Sequence, residues 1–338
     1  MAIQGIDLSI IWGVIIAFGL MMYVIMDGFD LGLGILFPLI SDSRERDVMM
    51  NTVAPVWDGN ETWAVLGAAA LYGAFPLAYS VILEALYLPL VLVLAGLIFR
   101  GVAFEFRFKA HPHKRHLWDK AFIGGSVLAT FFQGVAIGTY ISGIPVENRQ
   151  FAGSALDWLA PFPLFCGVGL ILTYALLGST WLLIKTDGML ESRMRHYSRP
   201  LLYLLAIVIA VICAWTAWLH ADIAQRWFAG SHWVRSVVIA TLAVLSVVLI
   251  QKTLRRHHSH LPFIGVVALV FLGYLGLAIS IWPNIVPPGI DLWQAASPLS
   301  SQLFALIGAL FIIPIILVYT FWSYHVFRGK VQAGDAYH

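Results

Sequence analysis

Nine long apolar runs dominate this sequence and limit what the chain can become. They fall at about Leu8–Leu39, Trp57–Phe75, Ala78–Phe99, Ala121–Ile141, Phe162–Ile184, Leu201–Leu219, Ser236–Ile250, Leu261–Ile281 and Leu299–Trp322. A helix needs about 20 mainly apolar residues to cross roughly 30 Å of hydrocarbon, and most of these runs meet that length. The first is over-long and interrupted by charge and the seventh is short, so eight and ten are the nearest alternative counts. Membrane strands are excluded, because they alternate apolar and polar residues over only about ten positions. Composition agrees: 60% of the residues are hydrophobic and 11% charged, against about 25% charged in soluble domains. The chain is expected to fold as one all-α integral membrane domain, 1–338, with nine transmembrane helices.

The N-terminus lacks a basic segment and a small-residue cleavage signature, which predicts an uncleaved first span. Lys and Arg set the orientation. In the nine-span arrangement 17 of the 20 basic residues share one side, among them Arg44, Arg46, Lys114, Arg115, Arg193, Arg255 and Arg328. Only Arg149, Arg226 and Arg235 fall on the other. The N-terminus is therefore predicted outside (periplasmic in a bacterium) and the C-terminus in the cytoplasm. Trp57, Trp118, Trp158, Trp227, Trp233, Trp282 and Trp322 stand near span ends, where indole favours the interface. Cys166 and Cys213 both lie in apolar runs and offer neither a disulfide framework nor a thiolate cluster.

The basic residues are expected in loops, in the tail or at span boundaries; the acids are not. Asp27, Asp30, Asp58, Glu61 and Glu84 fall inside or at the rim of the first three spans. An Asp near mid-helix costs about 2.5–3.5 kcal/mol on insertion scales, so several together call for protonation, water, a partner's base or a function. Asp27 and Asp30 are three apart, as are Asp58 and Glu61, and each pair shares a helix face. Asp27 lies roughly 28 Å along the first helix at 1.5 Å per residue, and Asp58 opens the second. Four carboxyl groups are thus predicted to converge near the cytoplasmic side, with Glu84 at the opposite end. Carboxyl groups crowded together and taken out of water can exchange protons near neutral pH, which makes a cytoplasmic proton entry physically possible. The alternative is that Asp27 and Asp58 cap helix ends at a wet interface and that Glu84 reaches outer-surface water. Gly28 and Gly32 form a small-xxx-small pair suited to close helix contact.

The eleven histidines lie in loops, at span edges or in the tail, and no span interior offers one to a haem. His220, near the outer boundary, is the remaining candidate. The runs at 111–116 and 255–260 read as basic loops facing anionic headgroups. There is no nucleotide fingerprint, hydrolase motif or ATPase motif, and nothing points to nucleic acid.

Three stretches carry a resemblance: Asp27-Gly28-Phe29-Asp30-Leu31-Gly32, Trp57-Asp58-Gly59-Asn60-Glu61-Thr62-Trp63, and Phe99-Arg100-Gly101-Val102-Ala103-Phe104-Glu105-Phe106-Arg107. In this order and topology they resemble subunit II of the cytochrome bd-type quinol oxidases. The resemblance implies two four-helix bundles plus one peripheral helix. It implies a heterodimer in the bacterial inner membrane with subunit I, which holds two b haems and haem d, while this chain binds no cofactor or metal itself. The complex oxidises quinol and reduces O2 to water with cytoplasmic protons, without pumping.

Carried over by position, the family's membrane acids map onto Asp30 and Asp58, and Asp58 matches the aspartate implicated in proton delivery. Glu61 stands where many members carry Gln and is shared with branches that include the cyanide-insensitive oxidases. The proton path implied is Asp58, Asp30, Asp27 and Glu61. Arg100 and Trp57 are candidates for ion pairing or for lying beside a quinone, and Arg100, at the end of the third span, either pairs with an acid or anchors at the headgroups. A structural quinone and a small accessory subunit occur in some members. The rival classes are a proton- or cation-coupled secondary transporter and a purely structural assembly subunit.

Overall fold

The computed structural model describes residues 2–3, 6–230 and 232–332. Its helices are α1 (Leu8–Leu36), α2 (Ser43–Asn51), α3 (Trp57–Ala74), α4 (Pro76–Ala85), α5 (Tyr87–Lys109), α6 (Arg115–Ser142), α7 (Pro161–Lys185), α8 (Gly188–Leu219), α9 (Ala221–Phe228), α10 (His232–Arg255), α11 (His260–Ile281), α12 (Leu292–Ala295) and α13 (Leu299–Val326). Strands are confined to short antiparallel pairs such as Asn284–Val286 with Ile290–Asp291. Among the described residues eight helices are long and apolar enough to cross a membrane: α1, α5, α6, α7, α8, α10, α11 and α13. The predicted second span is α3, which packs on α1. Its 18 residues open with Asp58, Asn60 and Glu61, which dilute its apolar character.

The predicted third span, Ala78–Phe99, is divided. α4 ends at Ala85, Leu86 leaves the helical region at φ −106° and ψ 15°, and α5 begins at Tyr87. Pro89 accounts for the break, because it has no N–H for the Ala85 carbonyl and its ring crowds that turn. The crossing segment is therefore α5, displaced towards the C-terminus. This corrects the placement of Arg100, which lies inside a spanning helix rather than at its end. Glu84 is left exposed on the short α4. Arg193, Arg195 and Arg199 also leave the predicted loop. They ride on the first turns of α8, whose 32 residues extend about 48 Å at 1.5 Å each, more than the hydrocarbon requires.

α1 is the central helix, with α3, α6, α7, α11 and α13 against it. Two apolar cores occupy opposite ends of the bundle. The larger gathers Phe29, Leu33, Phe37, Met49, Phe122 and Leu182, where α1 finishes and α3 begins. Most basic residues also collect here, at the basic end of the bundle. The smaller joins Trp12, Phe75, Val81, Ile144 and Leu292. Gly32 and Gly178 let the α1 and α7 backbones meet: a Cβ at Gly178 would stand 2.7 Å from the Gly32 carbonyl carbon. α13 buries only Gln302 and presents Phe304, Leu310, Phe311, Val318 and Phe321 outward. Such a face is unstable in water and unexceptional in lipid, which is as apolar as the side chains themselves.

Candidate functional site

At the basic end the last turns of α1, the first turns of α3 and the interior of α5 bring their polar residues together. Asp27, Asp30 and Arg100 have no exposed surface, and Asn60 is 2% exposed. The Arg100 Nη2 stands 2.9 Å from Asp27 Oδ1 and is also paired with Glu61 Oε1. The guanidinium lies over the rings of Trp57 and Phe104, 5.6 and 5.9 Å from their centroids, and those rings stack on each other. Arg100 is thus an ion-pairing residue rather than a headgroup anchor. Trp57 is half-buried as one wall of its pocket.

Asp30 is held from the other side. Asn60 Nδ2 donates to Asp30 Oδ2 at 2.8 Å, and the Tyr324 hydroxyl donates to Asn60 Oδ1 at 2.9 Å. One amide thereby joins α1, α3 and α13. Beside it a cleft of about 10 Å³, bordered by Gly59, Asn60, Tyr319 and Tyr324, has room for roughly one water. Of the three acids Glu61 is the one that reaches the surface, with 26% of its side chain exposed.

The four predicted carboxyl groups do not all converge. Asp27, Asp30 and Glu61 gather about Arg100, whereas Asp58 is exposed on the first turn of α3 and takes no part in those contacts. It remains within electrostatic reach of Glu61, three residues on. The spacing predicted which acids share a helix face, but it carried no information on which neighbour that face meets. Three acids against one base leave two negative charges uncompensated when all are ionised. Buried charge without a partner is costly, so the arrangement can lower its charge by holding protons.

Two participants escaped the sequence reading: Asn60 and Tyr324. Asn60 stands within a quoted motif, and its position one residue before Glu61 was the available signal. Tyr324 sits near the end of an apolar helix, where a single phenol resembles a packing or interface residue.

A second charged group lies two turns further along α5. Arg107 is fully buried and is paired with Asp47 of α2 and Asp119 of α6. Asp119 is also 2.7 Å from Arg46, and Glu45 is 2.6 Å from Arg193 of α8. Three consecutive residues of α2 are thus tied to three different helices. This clasps the segment that joins the two acidic motifs.

The described histidines stand at helix ends, in loops or on the projecting part of α8; the His232 side chain and His338 lie outside the described residues. Among the described residues no three His, Cys, Asp or Glu side chains are grouped to hold a metal ion. Cys166 and Cys213 are free thiols. These residues do not fit a haem within the bundle.

The family described as cytochrome bd terminal oxidase subunit II matches residues 8–327. The chain is 29% identical to the probable cytochrome oxidase subunit 2 of Haemophilus influenzae, with 96% of each covered. It is 27% identical to the cytochrome bd-I ubiquinol oxidase subunit 2 of Escherichia coli, over 97% of this chain and 96% of that one. It is 28% identical to the cytochrome bd ubiquinol oxidase subunit 2 of Bacillus subtilis, over 95% and 96%. Its fold is similar to a chain in the structure of bd oxidase from Geobacillus thermodenitrificans, with a TM-score of 0.73, 14% identity, and 95% and 99% of the two chains covered. A match across nearly the whole sequence, in a fold of spanning helices whose acids gather at one end, has one reading: the chain belongs to the cytochrome bd terminal oxidase subunit II family.

Proposed function

We propose that this chain is the haem-free subunit of a membrane quinol:oxygen oxidoreductase and that it carries protons from the cytoplasm towards an oxygen-reducing centre held by subunit I. The observation that carries this reading is the buried group of Asp27, Asp30 and Glu61 around Arg100, opening at Glu61 on the basic end. Basic residues favour the cytoplasmic side of an inner membrane, which places the N-terminus in the periplasm and makes the open end of the group a cytoplasmic entrance. Asp58, exposed beside it, serves as the collecting acid at the mouth. Glu61, Asp27 and Asp30 then form one coupled group rather than three independent ones.

The relatives in Escherichia coli and Bacillus subtilis are named as ubiquinol oxidase subunits, which supports quinol as the reductant and O2 as the oxidant here. The two b haems and haem d are assigned to subunit I, because the described residues of this chain do not supply their ligands. With α3 counted beside the eight apolar helices, the chain crosses the membrane nine times, as two four-helix bundles and a peripheral helix. The transporter alternative is not favoured once the family is shown.

The test uses the assembled two-subunit complex. Asp58→Asn and Asp30→Asn each keep the size of the side chain and remove its proton exchange. The expected result is a normal haem spectrum with quinol-driven oxygen consumption reduced at least tenfold. Full oxygen consumption in both variants would overturn the proton-path role.

A further inference from the structure

The end of the bundle away from the basic residues carries a second polar site. There α8 stops at Leu219, His220 leaves the helical region at φ −122° and ψ 90°, and α9 begins at Ala221. Two consecutive residues latch α9 onto the last turn of α11. Arg226 Nη1 donates to the Ser280 and Trp282 carbonyls at 3.1 and 2.6 Å, and Trp227 Nε1 donates to Ser280 Oγ at 2.9 Å. The hairpin of Asn284–Val286 and Ile290–Asp291 is tied in turn to the end of α6. The Tyr140 hydroxyl donates to the Ile285 carbonyl at 2.6 Å, and the Ile144 N–H donates to the Pro287 carbonyl at 2.7 Å. Gly143 turns the chain at this contact: its φ is +92°, and a Cβ there would stand 3.2 Å from Pro288 Cδ.

These ties enclose a cavity of about 90 Å³ bordered by Ser142, His220, Asp222, Arg226 and Asn284. One water needs roughly 10–15 Å³ on this scale, so the cavity accommodates a group the size of a phosphate. Its walls offer more donors than the chain uses. His220 Nε2 is buried with no hydrogen-bond partner among the described residues, and a buried polar atom in that position calls for a partner from outside the chain. Arg226 is held in place by Nη1, while its Nη2 lies 3.9 Å from Asp222 Oδ2, beyond hydrogen-bond length. His220 makes no side-chain cap on α9, so the N–H groups of that first turn, at the positive end of the helix, are left for another acceptor. Trp218, Trp282 and Trp293 are exposed at this end, the position of indole at a membrane surface.

We infer that this cavity is a phospholipid headgroup site, in which Arg226, His220 and the first turn of α9 take the phosphate and Asp222 takes the ammonium group of phosphatidylethanolamine. Arginine suits phosphate because it brings charge and several N–H groups at once. The acid beside it selects among headgroups: a bare anion would meet the Asp222 carboxylate, whereas a zwitterion satisfies both charges. Asp222 is 56% exposed and so stands where the outer part of a headgroup would lie. In the orientation proposed above this is the outer leaflet. A headgroup held there bridges the ends of α6, α8 and α11.

Native mass spectrometry tests the assignment on the assembled oxidase, washed in detergent and then offered dioleoyl phosphatidylethanolamine or dioleoyl phosphatidylglycerol. The unaltered complex is expected to retain one phosphatidylethanolamine that His220→Phe and Arg226→Gln retain about tenfold less, the loss expected for removing one hydrogen bond to a charged group. Haem spectrum and oxygen consumption should be unchanged. Asp222→Asn should keep the phosphate contacts and lose the preference, retaining the two lipids alike. Arg226 also caps α11, so His220→Phe and Asp222→Asn, which leave that cap in place, decide the matter if Arg226→Gln fails to assemble. Equal retention of phosphatidylethanolamine by the unaltered and His220→Phe complexes overturns the inference. Displacement of the retained lipid by inorganic phosphate would reveal a site for free phosphate and overturn the headgroup assignment; no displacement is expected.

Discussion

Arg100 and Arg107 stand seven residues apart on the same face of α5, both without exposed surface and both lying over aromatic rings. Their partners differ in number and sign. Arg107 belongs to a group of three bases, with Arg46 and Arg115, around two acids, Asp47 and Asp119. Arg100 is one base among three acids. The first group can stay fully ionised, because its one surplus positive charge falls among bases that include the part-exposed Arg46 and Arg115, and it ties helices together. The second is not satisfied until it holds protons. Burial and residue type are the same; the ratio of acid to base separates a fastening from the exchange site proposed above.

The largest effect is expected from Arg107→Gln. Breaking a buried pair by removing one partner costs about 3–5 kcal/mol, and here it also releases α2, the link between the two acidic motifs. Recovery of haem-bearing complex should fall steeply at every pH, and normal recovery would remove the structural role assigned to the clasp. Arg100→Gln should destabilise less, because the acids it leaves behind can each lose their charge by taking up a proton. Its thermal midpoint should lie closer to that of the unaltered complex at pH 6 than at pH 8, with oxygen consumption low throughout. The Arg107 variant should show no such recovery. Equal pH dependence in the two would erase the distinction between the groups. Smallest of all is Glu105→Gln, on the same helix. Its pair with Lys109 is 3.2 Å long but 56% and 75% exposed, and exposed pairs contribute little. No measurable change in thermal midpoint is expected, and a large one would mean that a partner covers this face.

Most of this architecture was readable from hydropathy, because lipid demands long apolar helices and charge marks their ends. The acids at 27, 30 and 61 announced themselves by standing where an acid is costly. The depth of Arg100 was hidden for a different reason: the apolar run from 78 to 99 is continuous in composition, and only Pro89 records that the backbone breaks within it. The direction of Asp58 was hidden too, since a spacing of three tells which residues share a face but not what that face meets. Asn60 and Tyr324 lie 264 residues apart in sequence. Their meeting is a product of how α3 and α13 pack, and no local pattern encodes it.

Where Gly32 lies against Gly178, two main chains touch and no side chain or solvent separates them. That seam works as a dam along the rear of the acid group. On the proton-path reading proposed above, protons gathered at the open end would find no leak towards α7, and the wet border would lie on the flank formed by α3 and α13, where the small cleft sits. A methyl group at position 32 would strike the Tyr174 carbonyl and pry the dam apart, so on that reading this glycine would govern where current flows as firmly as the charged residues govern whether it does.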